Sequence, residues 1–464
     1  MTLPHACRSL NLMKAAFIVL VFLAATGVTS FAQIFSTLIN FDGTDGAQPV
    51  YVSLAQGNDG NLYGTTLGGG PTGAGTIFRV TPPGKLTTIY SFCTQGTCPD
   101  GDSPYAGLVR AGNGSFYGTT WSGGKYGNGT VFKITAAGAL TTLHSFDFSA
   151  GEGAQPFAPL VQAHSGDFYG TTAGGGPFNA GTIFKITGAG VFTTLHTFDG
   201  SDGSTPMTAL VQGNDGNFYG TAGQFVFQMT PAGSLTTLHT FTGPDGAYPN
   251  GLMRGTNGSL YGTTYGGGAN YTCNNGCGTV FEITPKGALT TLYNFDSTHG
   301  ANPVATLTQG TDGNFYGTTY AGGIEGTVFE MTPAGTLTTL HSFDGTDGGQ
   351  PYGPVAQSTN GTFYGTATNL GPSNDGTLFS LAVGLGPFVE TIPTSGKVGS
   401  TVVILGTNLT ATNGVIFGST GAVFTVVSAT EIKAVVPVGA VTGRVKVTAP
   451  NGTLTSGTIF RVTP

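Results

Sequence analysis

One motif recurs along most of this chain and constrains its fold more than any other feature. An aromatic residue or Leu is followed by Tyr-Gly-Thr seven times, about every fifty residues, which is a period typical of repeat architectures. The motif tyrosines are Tyr63, Tyr117, Tyr169, Tyr219, Tyr261, Tyr316 and Tyr364. The motif therefore predicts seven copies of one structural unit.

Each copy carries four short segments with β-strand character. In the third copy they cover residues 160–162, 168–172, 181–186 and 192–198, and they are rich in Thr, Val, Ile and Phe. Turn sequences such as Asn-Asp-Gly-Asn at 214–217 separate such segments. Four antiparallel strands in each of seven copies predict an all-β fold, a seven-bladed β-propeller over residues 33–385.

The segment at 36–41 predicts how this propeller closes. It resembles the fourth segment of the other copies, whereas the last copy lacks a fourth segment. We therefore expect an N-terminal strand to complete the seventh blade, which leaves only short, protected strand edges. A Phe in the third segment and a Phe at the end of the fourth recur in every copy. We expect these Phe side chains to pack between adjacent blades.

The first 32 residues are typical of a secretory signal peptide. Arg8 and Lys14 flank the start of an apolar run at 15–25, and Ser30-Phe31-Ala32 forms a small-x-small cleavage site. A transmembrane anchor is the alternative, but the apolar run is too short to cross a bilayer. We expect an extracytoplasmic protein, in the periplasm or at the cell surface, with no membrane span after cleavage.

Four cysteines follow the signal segment as two close pairs. They are Cys93, Cys98, Cys273 and Cys277. In an oxidising compartment such pairs predict two local disulfides. A four-cysteine zinc site is the alternative, although the two pairs belong to different repeats.

The composition excludes some partners. Only 8% of residues are charged, and 15 Lys and Arg stand against 22 Asp and Glu. Such a chain lacks the basic surface that nucleic-acid binding requires. We expect a monomer that binds no nucleic acid.

The pattern changes after the Gly-Leu-Gly-Pro sequence at 384–387. Residues 386–464 contain β-rich segments at 401–405 and 445–447, with Asn-Gly turns at 413–414 and 451–452. Several short strands in a segment of this length predict an immunoglobulin-like β-sandwich.

Two families resemble parts of this sequence. The repeated Asp-Gly-Asn-Phe-Tyr-Gly-Thr-Thr, Gly-Thr-Val-Phe-Glu-Met-Thr-Pro and Leu-Thr-Thr-Leu-His-Ser-Phe segments resemble the bacterial GloVer tandem-repeat family, whose name goes with "choice-of-anchor" exported proteins. Residues 392–396, 399–409 and 435–437 are similar to an IPT/TIG domain. This second resemblance implies an immunoglobulin-like spacer or interaction module. Neither resemblance brings a defined set of catalytic residues.

The loops predict where function resides. Tight turns join strands one to two and three to four, whereas the variable loops all fall on the opposite face, and binding residues concentrate on such loops. The connection in copy four, from Tyr219 to Phe227, is the shortest and that in copy five, from Tyr261 to Phe281, is the longest, so we expect a notch there. Aromatic residues with stacking area are the candidate binding residues. They are Trp121, Tyr126, Phe178, Tyr265, Tyr271 and Tyr320.

Histidines and carboxylates are weaker candidates for chemistry. His144, His196, His239 and His341 share a repeat position that Ile39 also occupies, which indicates a structural role. Aspartates follow the fourth-segment Phe in several copies, where turn stabilisation explains them. A glycosidase pair or a Ca²⁺ site formed by these carboxylates is the alternative.

The sequence favours an exported, non-catalytic binding or scaffold protein that needs no cofactor. Its variable-loop face would bind a glycan or an extracellular protein. The alternatives are a polysaccharide-active hydrolase or lyase that uses carboxylates on that face, and a structural component of the cell envelope.

Overall fold

The computed structural model describes residues 33–463, so the predicted signal peptide lies outside the described residues. The described chain is all-β apart from two short 3-10 helices, Phe148–Ala150 and Leu409–Ala411. In this part of the chain no helix is long and apolar enough to cross a membrane.

Each repeat forms one four-stranded antiparallel sheet, numbered here in the order of the motif tyrosines. Sheet 1 contains Ala55–Gln56, Leu62–Thr66, Thr76–Val80 and Leu86–Ser91. Sheet 2 contains Val109–Arg110, Phe116–Thr120, Thr130–Ile134 and Leu140–Ser145. Sheet 3 contains Val161–Gln162, Phe168–Thr172, Thr182–Ile186 and Phe192–Thr197, and a small ribbon of Gly153–Ala154 and Gly174–Gly175 lies beside it.

The next three sheets repeat this order. Sheet 4 contains Val211–Gln212, Phe218–Ala222, Phe225–Met229 and Leu235–Thr240. Sheet 5 contains Ala247–Arg254, Leu260–Gly266, Thr279–Ile283 and Leu289–Asn294. Sheet 6 contains Thr308–Gln309, Phe315–Thr319, Thr327–Met331 and Leu337–Ser342.

Sheet 7 combines both ends of the repeat region. It contains Ala356–Gln357, Phe363–Ala367, Thr377–Ala382 and, as its fourth strand, Ile34–Asn40. The N-terminal strand pairs antiparallel with Thr377–Ala382, and Phe35 lies opposite Leu381. The strand pairing that the sequence predicts for this segment is therefore present.

The tyrosine of the motif packs one sheet onto the next. In five of the seven copies its ring stacks on the Phe that begins the motif in the following sheet, with centroids 4.0–4.3 Å apart. Tyr219 and Tyr364 meet Leu260 and Leu62 instead. The aromatic residue or Leu before each motif Tyr thus packs on the motif tyrosine of the preceding sheet.

The glycine and threonine of the motif serve the same interface. A Cβ on the motif glycine would come 2.5–2.7 Å from the ring of the third-strand Phe, so only glycine leaves room for that ring. The threonine hydroxyl donates a hydrogen bond of 2.9–3.4 Å to a backbone carbonyl of the next sheet in all seven copies. Such a bond gives the buried hydroxyl a partner, since burying a polar group without one would destabilise the fold.

A second aromatic contact closes the ring of sheets. The Phe after each fourth strand packs on the third-strand Phe of the next sheet, with centroids 5.1–5.7 Å apart. Phe41 of sheet 7 and Phe78 of sheet 1 form one of these seven pairs. The predicted packing of these Phe residues between adjacent sheets is confirmed. Sheets 1 to 7, hereafter the ring, contact one another in an unbroken cycle.

The C-terminal part contains two further sheets. One has the order Glu390–Ile392, Thr401–Leu405, Glu431–Val435 and Phe424–Val426. The other has the order Ser395–Lys397, Gly452–Thr463, Gly443–Ala449, Gly414–Phe417 and Thr420–Gly421. Val402 and Ile432 from the first sheet share one buried core with Val415, Val445 and Phe460 from the second. The two sheets therefore pack face to face.

This C-terminal domain contacts the turn face of the ring, the face of the tight turns. Phe388 donates its backbone N–H to the carbonyl of Thr359 over 3.0 Å. The hydroxyl of Thr430 donates to the carbonyl of Asn58. These contacts of the C-terminal domain therefore fall on the turn face and not on the variable-loop face.

Deleting residues 33–41 should lower the melting temperature and cause aggregation, because Thr377–Ala382 would become an exposed edge. Phe41→Ala should by itself cost about 3–5 kcal/mol, because Phe41 is fully buried against Phe78. Ile34→Ala is the control, since Ile34 is 58% exposed. Chemical denaturation and light scattering measure both effects. A soluble deletion protein with unchanged melting temperature would show that the strand does not close the ring.

Candidate functional site

A cavity of about 610 Å³ lies at the centre of the ring. All seven sheets contribute to its wall through the segments that lead into their first strands. At its far end, a second cavity of about 420 Å³ shares Ser53, Val109 and Thr308 with it and is bounded by residues 390–394 of the C-terminal domain. A ligand would therefore enter from the variable-loop face.

The loop segments that shape this cavity are held by a repeated backbone feature. A proline precedes the first strand in six copies and lies near the start of that strand in sheet 5, and the residue before the proline has φ between 50° and 60° in all seven copies. These residues are Gln48, Ser103, Gln155, Thr205, Tyr248, Asn302 and Gln350. Left-handed backbone is unfavourable for such residues and persists only where the surroundings impose it.

A hydrogen bond from the preceding sheet imposes this conformation. In six copies the backbone N–H of this residue donates to a backbone carbonyl in the preceding sheet's loop, as Ser103 does to Ala74 over 2.9 Å. Sheet 4 has too short a loop to offer that carbonyl. The side-chain Oε1 of Gln224 accepts from the N–H of Tyr248 there, over 3.1 Å. The scaffold is thus maintained even where the loop is shortened.

Six aromatic rings form one wall of the cavity, which we call the aromatic wall. Its members are Tyr51, Tyr105, Trp121, Phe157, Tyr320 and Tyr352. Successive ring centroids lie 4.8–5.7 Å apart, so the rings form a continuous series. Tyr51, Phe157 and Tyr352 line the cavity, and the other three contact these rings without belonging to the lining. Such supported rings are rigid contact surfaces.

Tyr51 occupies a special place in this wall. The segment between Pro49 and Leu54 is one residue longer than the equivalent segment between Pro104 and Leu108. Tyr51 lies in this longer segment, and its φ is 50°. Its ring reaches Phe157 of sheet 3 and Tyr352 of sheet 7, at 4.9 and 5.2 Å. Burial raises the pKa of Tyr51 to about 12, with contributions from Tyr105 and Tyr265. The hydroxyl therefore stays protonated at neutral pH and can donate a hydrogen bond.

The rest of the lining is uncharged, and it mixes aliphatic side chains such as Leu108 and Met207 with polar ones. Ser204, Thr208, Thr221, Asn250 and Thr306 contribute hydroxyl and amide groups. Among the described residues that line this cavity there is no Asp, Glu, His, Lys or Arg. The cavity thus combines aromatic faces with neutral hydrogen-bonding groups.

The cavity reaches the short connection of sheet 4. Thr221, Gly223 and Ser204 belong to its lining, whereas the long connection of sheet 5, residues 267–278, does not. The shortened loop that the sequence singles out therefore borders the cavity on the side opposite the aromatic wall.

The structure brings together three of the six predicted aromatic residues. Trp121 and Tyr320 belong to the aromatic wall, and Tyr265 lies near enough to Tyr51 and Tyr352 to raise the pKa of both hydroxyls, although burial contributes most in each case. The other three lie elsewhere. Tyr126 borders a groove beside His144 and Glu152, and Phe178 and Tyr271 are 64% and 75% exposed.

Sequence reasoning missed Tyr51, Tyr105, Phe157 and Tyr352. Three of them follow the repeated proline directly, a position that varies among Val, Tyr, Phe, Met and Asn while the proline stays. A variable residue directly after a constant proline was the sequence signal that could have identified these three. For Tyr51 the signal was the extra residue between the proline and the strand.

The histidines and carboxylates act within the loops. His196 Nε2 lies 2.7 Å from Asp202 Oδ2, and His144, His239 and His341 make equivalent contacts with Glu152, Asp245 and Asp347. Asp199 Oδ1 accepts from the N–H and the hydroxyl of Ser201. Asp42, Asp147 and Asp344 form the same turn. These contacts agree with the structural roles that the sequence favoured for both residue types.

The cysteines form two disulfides, Cys93–Cys98 and Cys273–Cys277. This pairing confirms the prediction and excludes the four-cysteine zinc site. Within residues 33–463, no group of three or more His, Cys, Asp and Glu side chains is arranged to hold a metal ion.

The chain belongs to the Gloeobacter/Verrucomicrobia repeat family, whose pattern matches residues 26–225 and again residues 223–430. The second match extends beyond the ring into the C-terminal domain. A comparison with curated protein sequences finds no match.

Several solved structures share the fold. A streptogramin B lyase is 15% identical with a TM-score of 0.54, over 75% of this chain and 97% of that chain. Virginiamycin B lyase from Staphylococcus aureus, in a catalytically inactive form with quinupristin, is 14% identical with a TM-score of 0.54, over 75% and 99%. The extracellular domain of a B. thetaiotaomicron protein described as a one component system is 13% identical with a TM-score of 0.52, over 93% and 59%. At these identities the likeness shows an all-β, propeller-like fold.

The turn aspartates predict a dependence of stability on pH. Hydrogen bonds from Thr or Ser hydroxyls hold the pKa of Asp42, Asp147, Asp199 and Asp344 below the ordinary Asp value. Their stabilising effect is present above that ordinary value, about 3.9, and is lost as the pH falls through the lower folded-state pKa values.

Replacing all four with Asn should therefore lower the melting temperature at neutral pH, and the difference from the unmodified protein should shrink below about pH 4. Thermal melts across this range measure the effect. Asp167→Asn, a turn substitution on the other face, is the matched single control. A difference that stays constant at every pH would contradict the role assigned to these carboxylates.

Proposed function

We propose that this protein is an exported, non-catalytic binding protein whose axial cavity binds an uncharged glycan. The observation that carries this proposal is the pairing of the aromatic wall with a lining of neutral hydroxyl and amide groups. The apolar faces of a sugar ring stack on aromatic side chains, and its hydroxyls exchange hydrogen bonds with Ser, Thr and Asn.

The architecture that we propose for this role is a seven-bladed β-propeller followed by an immunoglobulin-like domain of the IPT/TIG type. The unbroken cycle of contacts among sheets 1 to 7 supports the first part. The two C-terminal sheets with one shared core support the second. The domain would act as a spacer or second contact, because it lies on the turn face and leaves the cavity mouth open.

Export is part of the same proposal. The N-terminal sequence is typical of a signal peptide, and the two disulfides suit an oxidising compartment. The similar extracellular domain from B. thetaiotaomicron supports an extracytoplasmic location.

We prefer binding over polysaccharide hydrolysis because of where the carboxylates are. A glycosidase needs two carboxyl groups about 5–9.5 Å apart across the scissile bond. In the described residues the cavity lining contains no carboxylate, and the aspartates of the loops accept hydrogen bonds from their own turns. Several lyases share the fold, but fold alone does not transfer an activity.

A screen of neutral polysaccharides and oligosaccharides tests the proposal, with product analysis on the same samples. We expect binding without release of sugar fragments. Tyr51→Ala should weaken binding about thirtyfold or more, because truncation of a buried aromatic anchor at a binding site costs about 2 kcal/mol or more. Trp121→Ala should weaken it less, since Trp121 contacts Phe157 but does not line the cavity.

Tyr271→Ala is the matched control, because Tyr271 is an exposed aromatic residue outside the cavity. Calorimetry measures affinity, and a thermal melt of each variant separates lost binding from lost folding. Equal binding by folded Tyr51→Ala and unmodified protein would contradict the cavity as the site. Sugar release abolished by an Asp→Asn change on the loop face would establish the hydrolase alternative.

A further inference from the structure

A third cavity lies where the ring meets the C-terminal domain, and it shares no lining residue with the axial cavity. Its volume is about 490 Å³. Sheets 3 to 6 contribute His164, Asn214, residues 253–256 and residues 309–310, and the C-terminal domain contributes Thr394, Thr442, residues 457–459 and Arg461. We call this cavity the interdomain cleft.

The interdomain cleft is positively charged in a chain that is acidic overall. Arg254 at the end of the first strand of sheet 5 and Arg461 on the last strand of the C-terminal domain both line it, together with His164. No Asp or Glu belongs to its lining among residues 33–463. The whole sequence has 15 Lys and Arg against 22 Asp and Glu, so a cleft with two arginines and no acid is unusual for this chain.

Neutral acceptors hold the two guanidinium groups in place. Arg254 Nη1 donates to the carbonyl of Gln212 over 3.2 Å and to Asn214 Oδ1 over 3.1 Å. Arg461 Nη1 donates to the backbone carbonyl of the same Asn214. Asn214 thus fixes one arginine from each domain side by side. The ion pairs within residues 33–463 all involve histidines, so no carboxylate neutralises either arginine.

The electrostatics of the cleft agree with this geometry. Burial lowers the pKa of His164, and the charges of Arg461 and Arg254 lower it further. Burial likewise lowers the pKa of Arg254, with a contribution from Arg461. At neutral pH His164 is therefore mostly neutral, whereas the two charged arginines repel each other, and a bound anion would relieve this repulsion.

We propose that the interdomain cleft binds an oxyanion group, a carboxylate or phosphate carried by a small ligand. Guanidinium groups bind such oxyanions through paired N–H donors, and these charge-assisted bonds are stronger than neutral ones. Thr256, Gln309 and Thr442 offer neutral polar groups for the rest of the ligand. Since the two arginines belong to different domains, the anion would also link the C-terminal domain to the ring. This proposal is independent of the function proposed for the axial cavity.

Calorimetry and thermal melts of the full mature chain test the proposal with inorganic phosphate and with glucuronate as probes. Sodium chloride at equal ionic strength is the salt control. We expect saturable binding that raises the melting temperature, because a ligand that binds only the folded state stabilises it. Tighter binding of glucuronate would identify the source as an acidic sugar, and tighter binding of phosphate would identify a phosphorylated ligand.

Arg254→Gln and Arg461→Gln should each weaken binding about tenfold, because a hydrogen bond to a charged group contributes about that much. Lys433→Gln, an equal charge change at an exposed residue of the C-terminal domain outside the cleft lining, should leave binding unchanged. Arg254→Lys keeps the charge but loses the paired N–H donors. Its affinity for the oxyanion should therefore lie between that of the unmodified protein and that of Arg254→Gln. If a glutamine variant fails to fold, the affinity of Arg254→Lys tests the proposal in its place.

Two results would overturn the proposal. One is equal stabilisation by chloride and by the oxyanions at the same ionic strength, which would reduce the effect to screening. The other is undiminished affinity in folded Arg254→Lys and Arg461→Gln proteins.

Discussion

The contact between the motif tyrosine of one sheet and the first motif residue of the next is the interaction on which the rest of the structure depends. It recurs between every pair of neighbouring sheets, as Tyr117 on Phe168 illustrates with centroids 4.0 Å apart. The glycine between Tyr and Thr admits the third-strand Phe, and the threonine hydroxyl bonds to the next sheet. At each interface one short motif therefore provides the packed aromatic ring, the room for the neighbouring Phe and the hydrogen bond that satisfies a buried polar group. Because each sheet needs the next one, the terminal strand Ile34–Asn40 has to complete the seventh sheet.

Because the motif residues hold the sheets together, the residues that line the cavity can differ from copy to copy while the sheets stay the same. The repeated proline and the left-handed residue before it are fixed by hydrogen bonds from the preceding sheet. In five of the seven copies the residue after the proline lines the axial cavity. Its side chain there ranges from Val304 to Phe157. Function is free to reside at that position and at the extra residue, Tyr51.

The fold was far more predictable than the site. The spacing of the motif, the four β-type segments and the N-terminal segment were sufficient to predict the sheets and the strand that completes sheet 7. Trp121, Tyr265 and Tyr320 were predicted as binding residues from their place in the variable loops, and Trp121 and Tyr320 belong to the aromatic wall. Tyr126, Phe178 and Tyr271 share the same loops, but the structure places them outside the axial cavity. Sequence position alone assigns a residue to a face and does not give its distance from the axis.

The sequence by itself determined the number of repeat units, their strand order and the residues that pack between them, because those contacts join positions at fixed offsets within one repeat. Only the tertiary structure decided which side chains from different repeats meet. Tyr51 of sheet 1 reaches both sheet 3 and sheet 7, and Arg254 and Arg461 meet at one asparagine although they lie in different domains. Such contacts depend on how the ring curves and where the second domain docks, and no periodic pattern in the chain records either one.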